Sequence, residues 1–175
     1  DEPDYILECG FGSGIILLEL AKAFPNSRCI GWDINQNAYK NAIKNQENQN
    51  IKNIDWKLDD FFNLDIKWLK NITNRDKVAI VSNPPYITSS DYERLDQQIK
   101  IYEPKSALIG GKDGLDYYRK IVDILNDLTV FICFEIGINQ QRALKNLCDD
   151  YGKKHYRFDN DISGIPRVLS IFPDH

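Results

Sequence analysis

The chain has no methionine and only two histidines among its 175 residues. A primary translation product begins with Met, whereas this chain begins Asp1-Glu2-Pro3. It is therefore expected to be a processed or trimmed portion of a longer protein. No apolar run approaches the ~18 residues that span a membrane. The longest, near Leu128 to Ile138, is interrupted by Glu135. No signal peptide is visible in the residues present. The four cysteines are Cys9, Cys29, Cys133 and Cys148, and no two form a C-x-x-C pair. With so few histidines, this spacing argues against a zinc site and for reduced, buried thiols in a cytosolic protein. Internal repeats and Gly/Ser linkers are absent, and the length is that of one domain. Positive charge is not in excess either. The net charge of −4 argues against non-specific capture of polyanions.

What is present is an ordinary globular composition, 42% hydrophobic and 27% charged. A chain of this length buries roughly 70% of its unfolded surface, enough for a full core. Short apolar runs alternate with amphipathic segments. Tyr5 to Cys9, Arg28 to Trp32, Ile54 to Leu58, Lys77 to Ser82, Val130 to Glu135, His155 to Phe158 and Arg167 to Phe172 read as strands. Ile15 to Ala23, a segment capped by Asn35, Leu115 to Leu125 and Asn139 to Asp149 read as helices. Tyr86 to Gly114 is the most irregular stretch. Such alternation predicts an α/β fold, a mostly parallel sheet with helices on both faces. Ligands then bind at the carboxyl ends of the strands. That points to Glu8 to Gly14, Asp33, Asp60 and Asn83 to Tyr86.

Glu8-Cys9-Gly10-Phe11-Gly12-Ser13-Gly14 places glycines at every second position between a strand and a helix. A dinucleotide fold needs G-x-G-x-x-G, but the third required position here is Ile15. No Lys-Ser/Thr pair follows to make a P-loop. The pattern resembles the first motif of class I S-adenosylmethionine (SAM) methyltransferases, an acidic residue followed by G-x-G-x-G. That resemblance implies a Rossmann-like seven-stranded sheet and SAM as cofactor. Gly10, Gly12 and Gly14 would approach it, with Glu8 opening the motif. An Asp33 carboxylate can accept both ribose hydroxyls. Asp60 could accept from the adenine amine, with Asp59 as the competing candidate. Acidic strand ends also suit the sulfonium charge of SAM.

Asn83-Pro84-Pro85-Tyr86 follows the fourth strand. Two prolines fix φ twice and remove two backbone donors, and the first holds Asn83 extended. The loop then displays the Asn83 side-chain oxygen, the Pro84 carbonyl and an aromatic ring. Two acceptors take the N–H bonds of a planar –NH2 group, and the ring stacks on its face. An amide nitrogen is a poor nucleophile because its lone pair is delocalised. Holding both protons lets it move toward tetrahedral geometry while a methyl group lies in line. Asn83, Pro84 and Tyr86 are the catalytic candidates. Asn83 also borders the cofactor, and Pro85 completes the substrate loop. The motif marks amino-methyltransferases in general.

Further motifs narrow the class. Val81 to Ile87 is followed by Tyr102-Glu103-Pro104-Lys105-Ser106-Ala107-Leu108 and by Gly110-Gly111-Lys112-Asp113-Gly114-Leu115-Asp116. Later come Phe134-Glu135-Ile136-Gly137-Ile138-Asn139-Gln140 and Ile162-Ser163-Gly164-Ile165-Pro166-Arg167-Val168. This ordered series resembles the HemK/PrmC family of release-factor glutamine methyltransferases over nearly the whole chain. The resemblance implies transfer of methyl from SAM to the glutamine amide nitrogen (N5) of the GGQ loop of peptide chain release factors. It makes residues 1–175 the catalytic domain, with the family's N-terminal docking domain absent. It implies a metal-free, cytoplasmic, monomeric enzyme that binds neither membrane nor, stably, nucleic acid. Glu103 would contact substrate; Glu135 reads as structural, and Arg167 as paired with an acidic neighbour. Departures are Cys9 and Phe11 in the glycine loop and a short, glycine-free Asn126 to Thr129. Two alternatives stay open: a nucleic-acid amino-methyltransferase with the same chemistry, and a SAM-binding module without catalysis.

Overall fold

A computed structural model describes residues 2–102 and 104–173. The elements run β1 (Tyr5–Cys9), α1 (Ile15–Ala23), β2 (Arg28–Asp33), α2 (Gln36–Gln49), β3 (Ile54–Leu58), α3 (Ile66–Thr73) and β4 (Val78–Ser82). Three short helices follow, α4 (Ser89–Arg94), α5 (Gln97–Tyr102) and α6 (Lys105–Leu108). The chain closes with α7 (Asp116–Ile124), β5 (Phe131–Glu135), α8 (Gln141–Asp150), β6 (Tyr156–Asn160) and β7 (Pro166–Ile171). The strands form one seven-stranded sheet in the order β3-β2-β1-β4-β5-β7-β6. Strand β1 pairs in parallel with β2 and with β4, and β2 in parallel with β3. The β6–β7 pair is antiparallel. Among the described residues, no helix is long and apolar enough to cross a membrane.

By contacts the chain divides into two compact units, Asp1–Asn83 with Leu128–Cys133, and Pro84–Asp127 with Phe134–His175. The first holds β1 to β4. In the middle of the sheet both faces are covered, so β4 (Val-Ala-Ile-Val-Ser) is buried at every position, whereas the edge strand β3 is largely exposed. Its core joins Ile6, Leu17, Leu18, Ala21, Cys29, Ile54 and Val81. Each large aliphatic side chain buried in this way contributes roughly 1.5–3 kcal/mol. The exposed ion pairs Lys22–Glu19 and Arg28–Asp55 are worth at most ~1 kcal/mol each. Burial therefore dominates. In the second unit, α7 turns Tyr118, Ile121 and Val122 inward and α8 turns Leu144, Leu147 and Cys148 inward. The Tyr118 and Phe134 rings meet edge-on at 5.2 Å.

All seven expected strands form within a residue or two of their expected bounds. Helix α8 starts two residues later than the sequence suggests. Asn139 sits at φ 68°, a left-handed conformation that cannot be part of a right-handed helical turn. Helix α3 has no counterpart among the helices expected from the sequence. Its cap is conventional: the Asp65 carboxylate accepts from Lys67 N at 2.9 Å and Trp68 N at 3.3 Å. The irregular stretch after Tyr86 resolves into α4, α5 and α6.

Candidate functional site

In the first unit, parallel pairing brings the carboxyl ends of β1 to β4 to one edge. Cys9 stands opposite Trp32 and Ser82, and Asp33 opposite Leu58. The glycine loop leaves β1 there. Gly10 N and Phe11 N donate to the Trp32 carbonyl at 2.8 and 3.3 Å. Gly12 N donates to Asp33 Oδ2 at 2.8 Å, and Asn35 N to Asp33 Oδ1 at 2.8 Å. Each Asp33 oxygen thus keeps a lone pair for a further donor.

The three glycines do different work. All have positive φ (75°, 54° and 79° at Gly10, Gly12 and Gly14), which only glycine adopts without strain. A Cβ on Gly10 or Gly12 would meet nothing within 4 Å. The backbone there faces open space. A Cβ on Gly14 would lie 2.8 Å from the Trp56 ring and 3.0 Å from Ala42 Cβ. Gly14 therefore serves helix packing. It also opens α1 without a side-chain cap of its own; of the first-turn N–H groups, that of Leu17 meets the Glu8 carboxyl. Phe11 is buried and packs on Trp56 at 4.7 Å, which is why a bulky residue is tolerated in this loop.

Three carboxylates approach this edge. Glu8 is 1% exposed, and its Oε2 has no hydrogen-bond partner. Burial pushes its carboxyl up to about 8, with the Asp33 charge adding to the rise and a Leu17 backbone contact opposing it. Cys9 is pushed up to about 12, first by burial, with Asp60, Glu8 and Asp33 adding. Of the two acids after β3, Asp59 is bound into its own turn, accepting from Asp60 N at 2.7 Å and Asn63 Nδ2 at 2.8 Å. Asp60 is half-buried and caps the short 3-10 turn through Phe62 N at 3.0 Å. Ile34 and Leu58, exposed at 65% and 42%, lie beside Asp33 and Asp59. For Ile34, an apolar residue directly after the acidic end of β2 is a readable signal in the sequence; Leu58, the last residue of β3, carries none. Asn83 follows β4 with its side chain exposed.

In the second unit the loop continues through Pro84, buried, and Pro85 and Tyr86, half-buried. Ile87 forms a parallel bridge to Ile109, with Ile87 N donating to Leu108 O and Gly110 N to Ile87 O, both 2.9 Å. The glycines of Gly110 to Gly114 allow this approach. A Cβ on Gly110 would strike the Pro85 carbonyl oxygen, and one on Gly114 the Tyr86 carbonyl oxygen. Gly137 passes beside the Tyr86 ring, where a Cβ would lie 2.9 Å from Cδ2. The Arg167 guanidinium stands 5.9 Å from the Tyr86 ring centroid and binds Glu135 Oε1 through Nη2 at 2.9 Å. Arg167 thus pairs with an acidic neighbour, as expected, and that neighbour is Glu135; the pair backs the aromatic ring. Glu103 lies outside the described residues. Among the described residues, no group of three or more His, Cys, Asp or Glu could hold a metal.

Known proteins resemble this chain in sequence and in fold. A family model described as "Putative methyltransferase" matches residues 2–82. A release factor glutamine methyltransferase of Thermodesulfovibrio yellowstonii is 36% identical over 95% of this chain and 58% of its own length. One of Fusobacterium nucleatum is 34% identical over 97% of this chain and 47% of its own length. The chain thus spans about half the length of these curated relatives. Among solved structures, the N-terminal domain of human METTL16 in complex with SAH superposes with a TM-score of 0.64. That match is 16% identical and covers 97% of this chain and 61% of that one. The chain thus shares the fold of that methyltransferase domain, and over nearly its whole length its sequence is similar to part of the release factor glutamine methyltransferases.

Proposed function

We propose that this chain is the catalytic domain of a release factor glutamine methyltransferase. It would transfer the methyl group of SAM to the side-chain amide nitrogen (N5) of the glutamine in the GGQ motif. The observation that carries the reading is the Asn83-Pro84-Pro85-Tyr86 loop, fixed by two prolines, with the Asn83 side chain exposed at the strand edge where the glycine loop opens.

The residues present fit SAM. The backbone of Gly10 and Gly12 borders open space, Asp33 has lone pairs for two ribose hydroxyls, and Glu8 holds an unpartnered buried oxygen. Asp60 suits the adenine amine, and the exposed Ile34 and Leu58 suit the flat faces of its ring. When bound, SAM supplies an electrophilic methyl group on a sulfonium centre. The chain supplies positioning. The Asn83 side-chain oxygen and the Pro84 carbonyl accept the two amide protons of the substrate glutamine, and Tyr86 covers the amide face. Held in this way, the amide nitrogen would be turned toward the methyl group that bound SAM would supply, and its two protons would stay hydrogen-bonded to the Asn83 and Pro84 oxygens as it is presented. No strong base is needed before attack, and no step calls for a metal.

Labelled SAM offered to the full-length protein with a release factor, and with its GGQ→GGA variant, tests the substrate. Label on the wild-type factor alone is the expected result; label on RNA or DNA instead would refute it. Asn83→Ala should leave SAM affinity within a few-fold while transfer falls at least ~100-fold, the scale of one lost transition-state contact. An equal loss of both would make Asn83 a structural residue.

A further inference from the structure

The substrate loop is held by one side chain that the reaction itself does not use. Gln140 directly precedes α8. Its Nε2 donates to the Tyr86 carbonyl and to the Gly114 carbonyl, both at 3.1 Å. Its Oε1 accepts from Gly137 N at 2.9 Å, and the Tyr118 hydroxyl lies 3.4 Å from it. A primary amide has two donors and two acceptor lone pairs; both donors and one acceptor lone pair are engaged. The orientation is forced. Turned over, the amide would set its oxygen against two carbonyl oxygens and its NH2 against the Gly137 N–H. Tyr118 is in turn anchored, with its hydroxyl donating to the Glu135 carbonyl at 2.9 Å. Gly114 and Gly137 bring their backbones close enough for this only because they lack side chains. A Cβ on either would meet the Gln140 amide at 2.8 Å.

We propose that Gln140 is a positioning residue for methyl transfer. Its amide fixes the Tyr86 carbonyl, and with it the plane of the peptide that follows the substrate loop. The two prolines secure the loop from the upstream side by restricting φ. Gln140 secures it from the downstream side, at the first residue after the prolines. The Tyr86 ring is then set between the Gly137 backbone and the Arg167 guanidinium. A carboxylate of the same shape cannot do this work, because it has no proton to give to either carbonyl. The inference rests on the methyl-transfer reading above and adds to it the group that aims the loop.

The test is made in the full-length protein with SAM and release factor. Gln140→Leu and Gln140→Glu should lower kcat by ~10- to ~100-fold, the scale of a small displacement in a near-attack geometry, while KM for SAM stays within a few-fold. The Gln140→Glu deficit should narrow as pH falls and the introduced carboxyl gains a proton to donate. The Gln140→Leu deficit should stay flat. Amide exchange provides a readout independent of activity. The Ile87 and Gly110 N–H groups should exchange faster in both variants, while those of β1 stay protected. Unchanged kcat with unchanged exchange would overturn the proposal. So would exchange that rises equally in β1, which would make Gln140 a general stabiliser. Should Gln140→Leu not fold, the pH series on Gln140→Glu decides alone, and a flat profile at wild-type kcat refutes the role. If the wild type transfers nothing to a release factor while the loop amides still loosen in the variants, the substrate reading fails and the anchoring stands.

Discussion

Glu8 is the residue with the most distinctive environment. It lies at the end of β1, 1% exposed, with one oxygen unpartnered. Desolvation holds its proton up to about 8 from an ordinary 4.5. The folded state therefore binds one more proton than the unfolded chain between these values. By linkage, stability is fully present below about 4.5 and declines as pH rises through about 8. The melting temperature of the cofactor-free protein should fall across that window. Glu8→Gln should remove that part of the decline; a variant with the same pH profile as wild type would show that Glu8 is already ionised or solvated. At this scale much of the candidate site is legible in the sequence. Glu8, Gly10, Gly12, Asp33, Asp60 and Asn83 were marked by residue type and by position after a strand. Gln140 lies in the Phe134 to Gln140 motif, yet a single glutamine carries no sign of which carbonyls it meets. Its partners are set by tertiary packing.

Among the elements, the turn from Gly110 to Gly114 decides whether the loop can be held. Gly114 has φ 77°, and a side chain there would strike the Tyr86 carbonyl oxygen. Gly114→Ala should destabilise the protein by at least ~1–2 kcal/mol, the cost of a left-handed L-residue, and more once the collision is relieved. Denaturant unfolding measures it; a loss below ~0.5 kcal/mol, the range of a neutral surface change, would contradict this account of the turn. The strands were readable because their apolar runs are short and end in Gly, Asp or Asn-Pro. Helix α3 was readable in principle, since Asp65 precedes Ile66, Leu69 and Ile72 at helical spacing. Helices α4 to α6 are harder. They are four to six residues long, too short for periodicity to stand out. The α8 boundary turned on one left-handed Asn139, which a run of helix-compatible residues does not reveal.

For the whole molecule, the thiols give a simple measure of native packing. Burial pushes Cys9 up to about 12 and Cys29 and Cys148 to about 11, and Cys133 is half-buried. Since only the thiolate reacts readily, native protein at pH 8 should yield at most one fast-reacting thiol to an aromatic disulfide reagent. Guanidinium should release all four. Two or more fast thiols in the native state would mean that β1, β2 or α8 is not packed as described. One consequence of the hydrogen bond to Tyr86 concerns the order in which the chain is made. Gln140 lies 54 residues downstream of the carbonyl it holds, and Arg167 lies further still. A ribosome delivering this chain releases the Asn83-Pro84-Pro85-Tyr86 loop well before either of its anchors. The glycine loop, by contrast, has its partners Trp32 and Asp33 within about two dozen residues. The strand edge that carries the glycine loop is therefore assembled early in synthesis. The Asn83-to-Tyr86 loop gains its final shape only after Gln140 and Arg167 have emerged.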